Sequence, residues 1–270
     1  MYYNPELVMD ADMTGGELLQ ETSGDVVTLT FNRPEAKNAM NPAMRDSLMS
    51  ALSGLAVDEG VRAVVLRGNS GSFIAGGDLH AFAATLKLDR EARRQNFHDR
   101  VNVSSQLVDS LIDFPKPLIA VMEGDAAGAG ISIALCCDFV IASSATRLSF
   151  AHVHVVLPLD LGLSYFLPRA SGTLQAKRLA MLGARISAEE ALGLGLVTMV
   201  TPEGEVDSRL DELLTALSSI SLMALKAIKR EFRCSGSNSL TAQMSLEAKE
   251  VGDGAATEAF EQRVSAFVGR

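Results

Sequence analysis

Apolar and polar positions alternate over Glu17–Glu21 and again over Val26–Phe31, and this period of two predicts a pair of strands. Gly24-Asp25 between them is a two-residue hairpin signal, and Asn32-Arg33-Pro34 closes the second strand. The period then becomes helical. Asn41 is placed to cap, and Pro42 to occupy the first position of, an amphipathic helix running to about Leu55. Val61–Arg67 reads as a buried strand, followed by a glycine-rich loop over Gly68–Gly77 and by Asp78 as the cap of a helix starting at Leu79. Arg90–Phe114 predicts a long helix that Pro115 stops. Pro117–Met122 is the next buried strand and runs into the loop Gly124–Gly130. Ile131–Cys136 reads as a short buried helix, Asp138–Ala142 as a strand, Gly172–Leu182 and Ser187–Leu192 as helices, and Leu196–Val200 as a last short strand. From Thr201-Pro202 onward the pattern is helical, with a break around Cys234–Ser239. The expectation is an α/β chain with a core over residues 1–200 and a helical C-terminal region over residues 201–270.

Two strand–loop–helix junctions resemble one another. One passes through Ser72-Phe73-Ile74-Ala75-Gly76-Gly77, the other through Gly124-Asp125-Ala126-Ala127-Gly128-Ala129-Gly130. Small residues there let a ligand approach the backbone, and the free amides of a helix start favour negative charge. Two such junctions facing one cavity could hold one oxygen between two N–H donors, an oxyanion hole in which losing a donor costs about 10²–10³-fold in rate. Taken singly, each is equally a tight strand-to-helix turn. A dinucleotide fingerprint is incomplete, because Ile133 stands where Gly128-Ala129-Gly130 would need its third glycine. The chain has no G-x-x-x-x-G-K-S/T phosphate loop, and Ser132 is not in a G-x-S-x-G elbow.

Composition narrows the classes. The chain has 270 residues, 47% hydrophobic and 21% charged, which suits a globular fold able to bury a sizeable core. A net charge of −9 argues against nucleic acid as a partner, and 5% aromatics with no Trp leaves little to stack bases on. Cys136, Cys137 and Cys234 lack CxxC spacing, which fits a reducing compartment. Met1-Tyr2-Tyr3-Asn4-Pro5 has no basic stretch ahead of an apolar one, and no apolar run approaches membrane-spanning length, so a cytoplasmic location is expected.

The segments Leu29-Thr30-Phe31-Asn32-Arg33-Pro34-Glu35-Ala36-Lys37-Asn38-Ala39-Met40, Phe73-Ile74-Ala75-Gly76-Gly77-Asp78-Leu79, Pro115-Lys116-Pro117-Leu118-Ile119-Ala120-Val121, Gly124–Gly130 with Cys137-Asp138, and Tyr165-Phe166-Leu167-Pro168-Arg169 stand in order along the chain. On these it resembles the enoyl-CoA hydratase/isomerase (crotonase) superfamily over nearly its whole length. The resemblance implies a spiral of ββα units with a helical C-terminal region, assembled as homotrimers or dimers of trimers. It implies a coenzyme A thioester as substrate and no separate cofactor. The thioester oxygen would lie between the amides of Gly77 and Ala129, with Ala75, Gly76, Asp78, Leu79 and Gly128 around the bound substrate. Arg33, Lys37 and the Lys226, Lys229, Arg230 cluster are candidates for the phosphates, and the backbone around Ala39 for the adenine. The cluster equally reads as the solvated face of a basic helix.

The family's hydratases place two glutamates over the substrate, and those positions fall here at Ser132 and His152. Asp160, in Leu157-Pro158-Leu159-Asp160-Leu161-Gly162, resembles the catalytic aspartate of phenylacetate-pathway and dienoyl-CoA isomerases. It also matches the nucleophilic aspartate of chlorobenzoyl-CoA dehalogenases, but Ser105 falls where their supporting histidine should be. Among leucines and a proline, Asp160 is expected to be desolvated, with its pKa pushed up towards general-base range. Double-bond migration needs only one base and is the favoured reaction. Hydration with unusual water handling, thioester hydrolysis, decarboxylation, and a catalytically silent acyl-CoA binder are the alternatives. His152 and His154 are read as a strand pair facing one side, either two ligands of a metal site without a third or a group beside the acyl pocket that orients or protonates. His80 and His98 are expected at the surface, Glu123 and Asp125 flank the second loop, and the Leu86–Phe97 region should shape the acyl pocket.

Overall fold

A computed structural model describes residues 16–269; the expectation drawn from Met1-Tyr2-Tyr3-Asn4-Pro5 lies outside the described residues. Strands β1 (Leu18–Ser23) and β2 (Val26–Phe31) form the expected hairpin, with Ser23 opposite Val26 across Gly24-Asp25. Helix α1 (Pro42–Val57) follows, and its first turn is closed by Asn41, whose side chain accepts from the Met44 amide at 2.8 Å. The chain then repeats one unit, a strand in a first sheet, a short strand in a second, and a helical turn. The first unit is β3 (Ala63–Gly68), β4 (Ser72–Ile74) and α2 (Leu79–Ala84). After the long helix α3 (Arg90–Ile112) the second is β5 (Leu118–Met122), β6 (Asp125–Ala127) and α4 (Ala129–Leu135). The third is β7 (Phe139–Ser143), β8 (Arg147–Ser149) and a 3₁₀ turn over Ala151–Val155. These are the ββα units of the implied spiral.

Helices α5 (Leu163–Ser171) and α6 (Thr173–Met181), strand β9 (Arg185–Ser187), helix α7 (Ala188–Gly193) and strand β10 (Met199–Thr201) complete the two sheets. The first runs β1-β2-β3-β5-β7-β10 and the second β4-β6-β8-β9. The chain ends in α8 (Val206–Ser218), α9 (Leu222–Ser235), α10 (Leu240–Ala255) and α11 (Glu258–Val268). No helix among the described residues is long and apolar enough to cross a membrane.

The burial pattern explains the layers. β2 alternates, with Val27, Leu29 and Phe31 inward, whereas β5 is buried at every residue because parallel interior strands are covered on both faces. Val64, Leu66, Leu118, Ala120 and Met122 face a core shared with Met44, Leu48 and Leu52 of α1 and Leu107 and Leu111 of α3. Val65, Ile119, Val121 and Ile141 face the other way, onto Val206, Leu210 and Leu217 of α8. The four short strands of the second sheet lie where the sequence reading has loops or no assignment, and two further elements differ from it. Helix α5 was not anticipated because Pro168 lies inside it; burial of Leu163 and Leu167 holds the helix despite the lost backbone bond. The His152–His154 stretch is a 3₁₀ turn rather than a strand, so its two histidines do not share a face.

The largest charged side chain in the core is that of Lys116, 2% exposed. Its ammonium donates to the carbonyl oxygens of Leu55, at 2.6 Å, and of Asp58, where α1 ends without further helical donors. Burial, helped by the nearby Lys226 charge, pulls its pKa below the usual lysine value. Lys116 thereby ties the entry of β5 to the end of α1. Lys116→Met, which keeps the stem and removes the donors, is expected to lower stability by about 1–3 kcal/mol in chemical denaturation at neutral pH. An unchanged midpoint would show that the cap contributes nothing.

Candidate active site

Met40 and Gly77 form a parallel bridge in which the Met40 amide donates to Gly76 O at 2.7 Å and the Asp78 amide donates to Met40 O at 3.3 Å. Both bonds go to the residues flanking Gly77, so the Gly77 N–H points away from Met40. The second junction packs against this loop. A Cβ placed on Gly76 would lie 3.6 Å from Ala127 O, and one on Gly128 would lie 3.5 Å from the Gly76 Cα. Gly128, at φ 45° and ψ −110°, adopts a backbone that a side chain would strain. Ala129 follows as the first residue of α4, where an N–H has no partner within the helix. The two turns that carry the candidate donors are therefore in contact.

Asn38, fully buried, laces the first turn in place. Its Oδ1 accepts from the Arg33 amide at 2.8 Å, and its Nδ2 donates to Ser72 O at 2.7 Å and Asn69 O at 2.9 Å. Asp78 caps α2 with one carboxylate oxygen, which accepts from the His80 amide at 2.9 Å and the Ala81 amide at 3.3 Å. Its other oxygen accepts from Arg33 at 3.0 Å. Arg33 also donates to Ala39 O at 2.6 Å and lies 3.2 Å from Glu17, and its side chain is 13% exposed. Each of its three guanidinium nitrogens thus has a partner inside the fold. The Ala39 carbonyl is engaged by the same contact. Lys37 remains exposed, 3.5 Å from Asp125, and its backbone carbonyl accepts from the Ala75 amide.

His152 lies against the second turn. A Cβ on Gly128 would meet its Nε2 at 3.4 Å, and that nitrogen is 3.4 Å from an Asp160 oxygen. The imidazole is 11% exposed, and its Nδ1 is buried without a hydrogen-bond partner among the described residues. His154 turns instead to Gly183 O, 3.3 Å away. The expected enclosure of Asp160 is not found. Leu161 and Leu163 turn into the core and leave the carboxylate 40% exposed. Ser132 is buried, with its hydroxyl donating back to Gly128 O at 3.4 Å, and Ser105 is exposed on α3.

The remaining candidates have partners within the fold. Glu123 pairs with Arg67 at 2.6 Å and Asp125 with Arg185 at 2.7 Å. Lys229 donates to Asp138 at 2.6 Å and to Lys116 O at 2.8 Å, and Arg230 pairs with Glu250 at 2.7 Å. These contacts fasten α9 and engage the Lys229 ammonium within the fold. Burial pushes the Cys136 thiol up to about 12 and Cys137 well above its ordinary value, which disfavours the thiolate at both. His80 and His98 are exposed. Among the described residues no group of three His, Cys, Asp or Glu is placed to hold a metal.

A cleft of about 600 Å³, lined by Leu79, Phe82, Leu86, Phe97, Val155 and Leu157 among others, opens beside the first turn. Phe82 is its link to the amide, since a Cβ on Gly77 would lie 2.8 Å from the Phe82 ring. The sequence reading missed Phe82; its position one turn after the Asp78 cap was the available signal.

Burial opposes the Asp78 charge, but the bonds from Arg33, Ala81 and His80 outweigh it and hold the carboxyl below the usual aspartate range. With the folded value below the unfolded one, this contribution to stability is complete above about pH 4 and is lost as pH falls through the depressed value. Asp78→Asn is expected to be less stable by about 1–2 kcal/mol at neutral pH, with the gap to the native chain shrinking below pH 4. Denaturation curves at both pH values check this; an equal gap at each would mean that the charge is not felt.

The sequence model of the enoyl-CoA hydratase/isomerase family matches residues 21–270. A probable enoyl-CoA hydratase of Rhodobacter capsulatus is 32% identical over 249 residues, covering 92% of this chain and 93% of that one. A trans-2-decenoyl-(acyl-carrier-protein) isomerase of Streptococcus mutans is 34% identical over 213 residues, covering 79% and 80%. The crystal structure of an enoyl-CoA hydratase from Polaromonas sp. JS666 aligns with a TM-score of 0.86 at 32% identity, covering 93% of this chain and 96% of that one. With the ββα spiral and the paired glycine turns, these matches establish that the chain belongs to the enoyl-CoA hydratase/isomerase family.

Proposed function

We propose that this enzyme moves a double bond within an enoyl-CoA thioester through an enolate. The observation that carries the reading is the single carboxylate of Asp160, 3.4 Å from His152, with the imidazole against the Gly128–Ala129 turn. The Gly77 and Ala129 amides donate to the thioester oxygen. Asp160 takes a proton from the carbon next to the carbonyl, the electron pair passes into that oxygen, and the proton returns two carbons further along. Negative charge on the oxygen is greatest between the two transfers, which is where fixed donors lower the barrier most. His152 is a positioning residue for the Asp160 carboxylate. Lys37 is the exposed cation on the Arg33–Met40 segment and takes the part of a phosphate contact. Apolar side chains left exposed on α9, α10 and α11, including Phe232, Met244 and Phe267, support assembly with further copies of the chain.

The exposure of Asp160 favours a second reading, hydration, because water can reach the carboxylate. Mass separates the two. A 3-enoyl-CoA should be converted to the 2-enoyl isomer at unchanged mass, while crotonyl-CoA should gain no water. Asp160→Asn is expected to lower that conversion by about 10²–10⁴-fold. Undiminished turnover would remove Asp160 from the chemistry, and a product heavier by one water would replace isomerisation with hydration.

A further inference from the structure

The cleft beside Gly77 is apolar along most of its wall but not at one side. Arg90, Arg93, Arg94 and Phe97, three to four residues apart on one face of α3, all line it. A helix facing an apolar cavity ordinarily presents apolar side chains there. Only Leu107 and Leu111 of α3 are buried, so the N-terminal half of the helix does not need these positions for the core. Arg94 is answered by Glu91 at 2.6 Å. Among the described residues neither Arg90 nor Arg93 forms an ion pair, although Arg93 is half-buried. Arg100 adds a further cation behind the wall, 4.9 Å from the centre of the Phe82 ring and 5.8 Å from that of Phe97.

A hydrocarbon tail filling this cleft would strip water from the Arg93 guanidinium and give nothing back, a cost that selects against it. An anionic group on the same tail would reverse that cost, because the planar fork of arginine matches a carboxylate in two bonds. We propose that the acyl group taken by this site carries a carboxylate at or near its far end, read by Arg93 together with Arg90. The proposal rests on the thioester reading above for the identity of the carrier.

The test is binding of saturated thioesters, which cannot isomerise, so its outcome is independent of turnover. Plain acyl-CoAs of six, eight and ten carbons and their ω-carboxy counterparts are titrated calorimetrically, with CoA alone, into the full chain and its Arg93→Gln, Arg90→Gln and Arg93→Lys variants. The ω-carboxy ligand should bind about 10- to 100-fold more tightly at one or more lengths, the range for a hydrogen bond to a charged group. That ratio should collapse in Arg93→Gln and be partly kept in Arg93→Lys. A ratio near one at every length would overturn the proposal, as would a ratio that survives both glutamine variants. Equal weakening of CoA itself would assign the arginines to its phosphates and overturn it too. Turnover of a 3-enoyl-CoA is followed separately, so an inactive protein that keeps the ratio sinks isomerisation and not the carboxylate.

Discussion

The donors assigned to the reaction are main-chain N–H groups, and a main-chain group can only be as well placed as the loop that carries it. The buried amide of Asn38 is the constraint on which the first loop depends. It joins the Arg33–Met40 segment to the Gly68–Asp78 loop through one acceptor and two donor contacts, all between 2.7 and 2.9 Å. Arg33 and Asp78 extend the same seam, so the α2 cap and the Gly77 turn are one construction. A buried polar network of this kind contributes only when every member is satisfied, and here each of the three side chains has partners.

The second junction is fixed by shape. Gly130 lies so near β4 that a Cβ there would be 2.4 Å from Ile74 O, and Gly128 gives His152 its seat. The first junction meets the cleft through Phe82, while the opposite face of the first sheet is closed by α8. The division of labour follows from topology, because each ββα unit ends in a turn on the same side.

The parts legible in the sequence were those decided locally. The hairpin at Gly24-Asp25, the Asn41 and Asp78 caps and the two glycine loops each depend on residues within a few positions of one another. Helix α5 was hidden because Pro168 is a local stop signal that tertiary packing overrode. The Ala151–Val155 stretch was misread because a short apolar alternation suits a strand and a 3₁₀ turn alike. The commitments of Arg33 to Asp78 and of Lys229 to Asp138 span 45 and 91 residues, so the cations were visible and their partners were not. The exposure of Asp160 depended on which way Leu161 and Leu163 turn, which only the assembled core decides.

Because the proposed oxyanion donors belong to the backbone, chemical importance and mutational tolerance part company. Ala129 presents its amide whatever short side chain it bears, so the position holding a reactive atom can drift. Gly128 and Gly130 have no side chain to offer, yet any added carbon there would strain the backbone or strike a neighbour. A saturation scan of this turn would thus mark as indispensable the residues that make room, and pass over the one proposed to act.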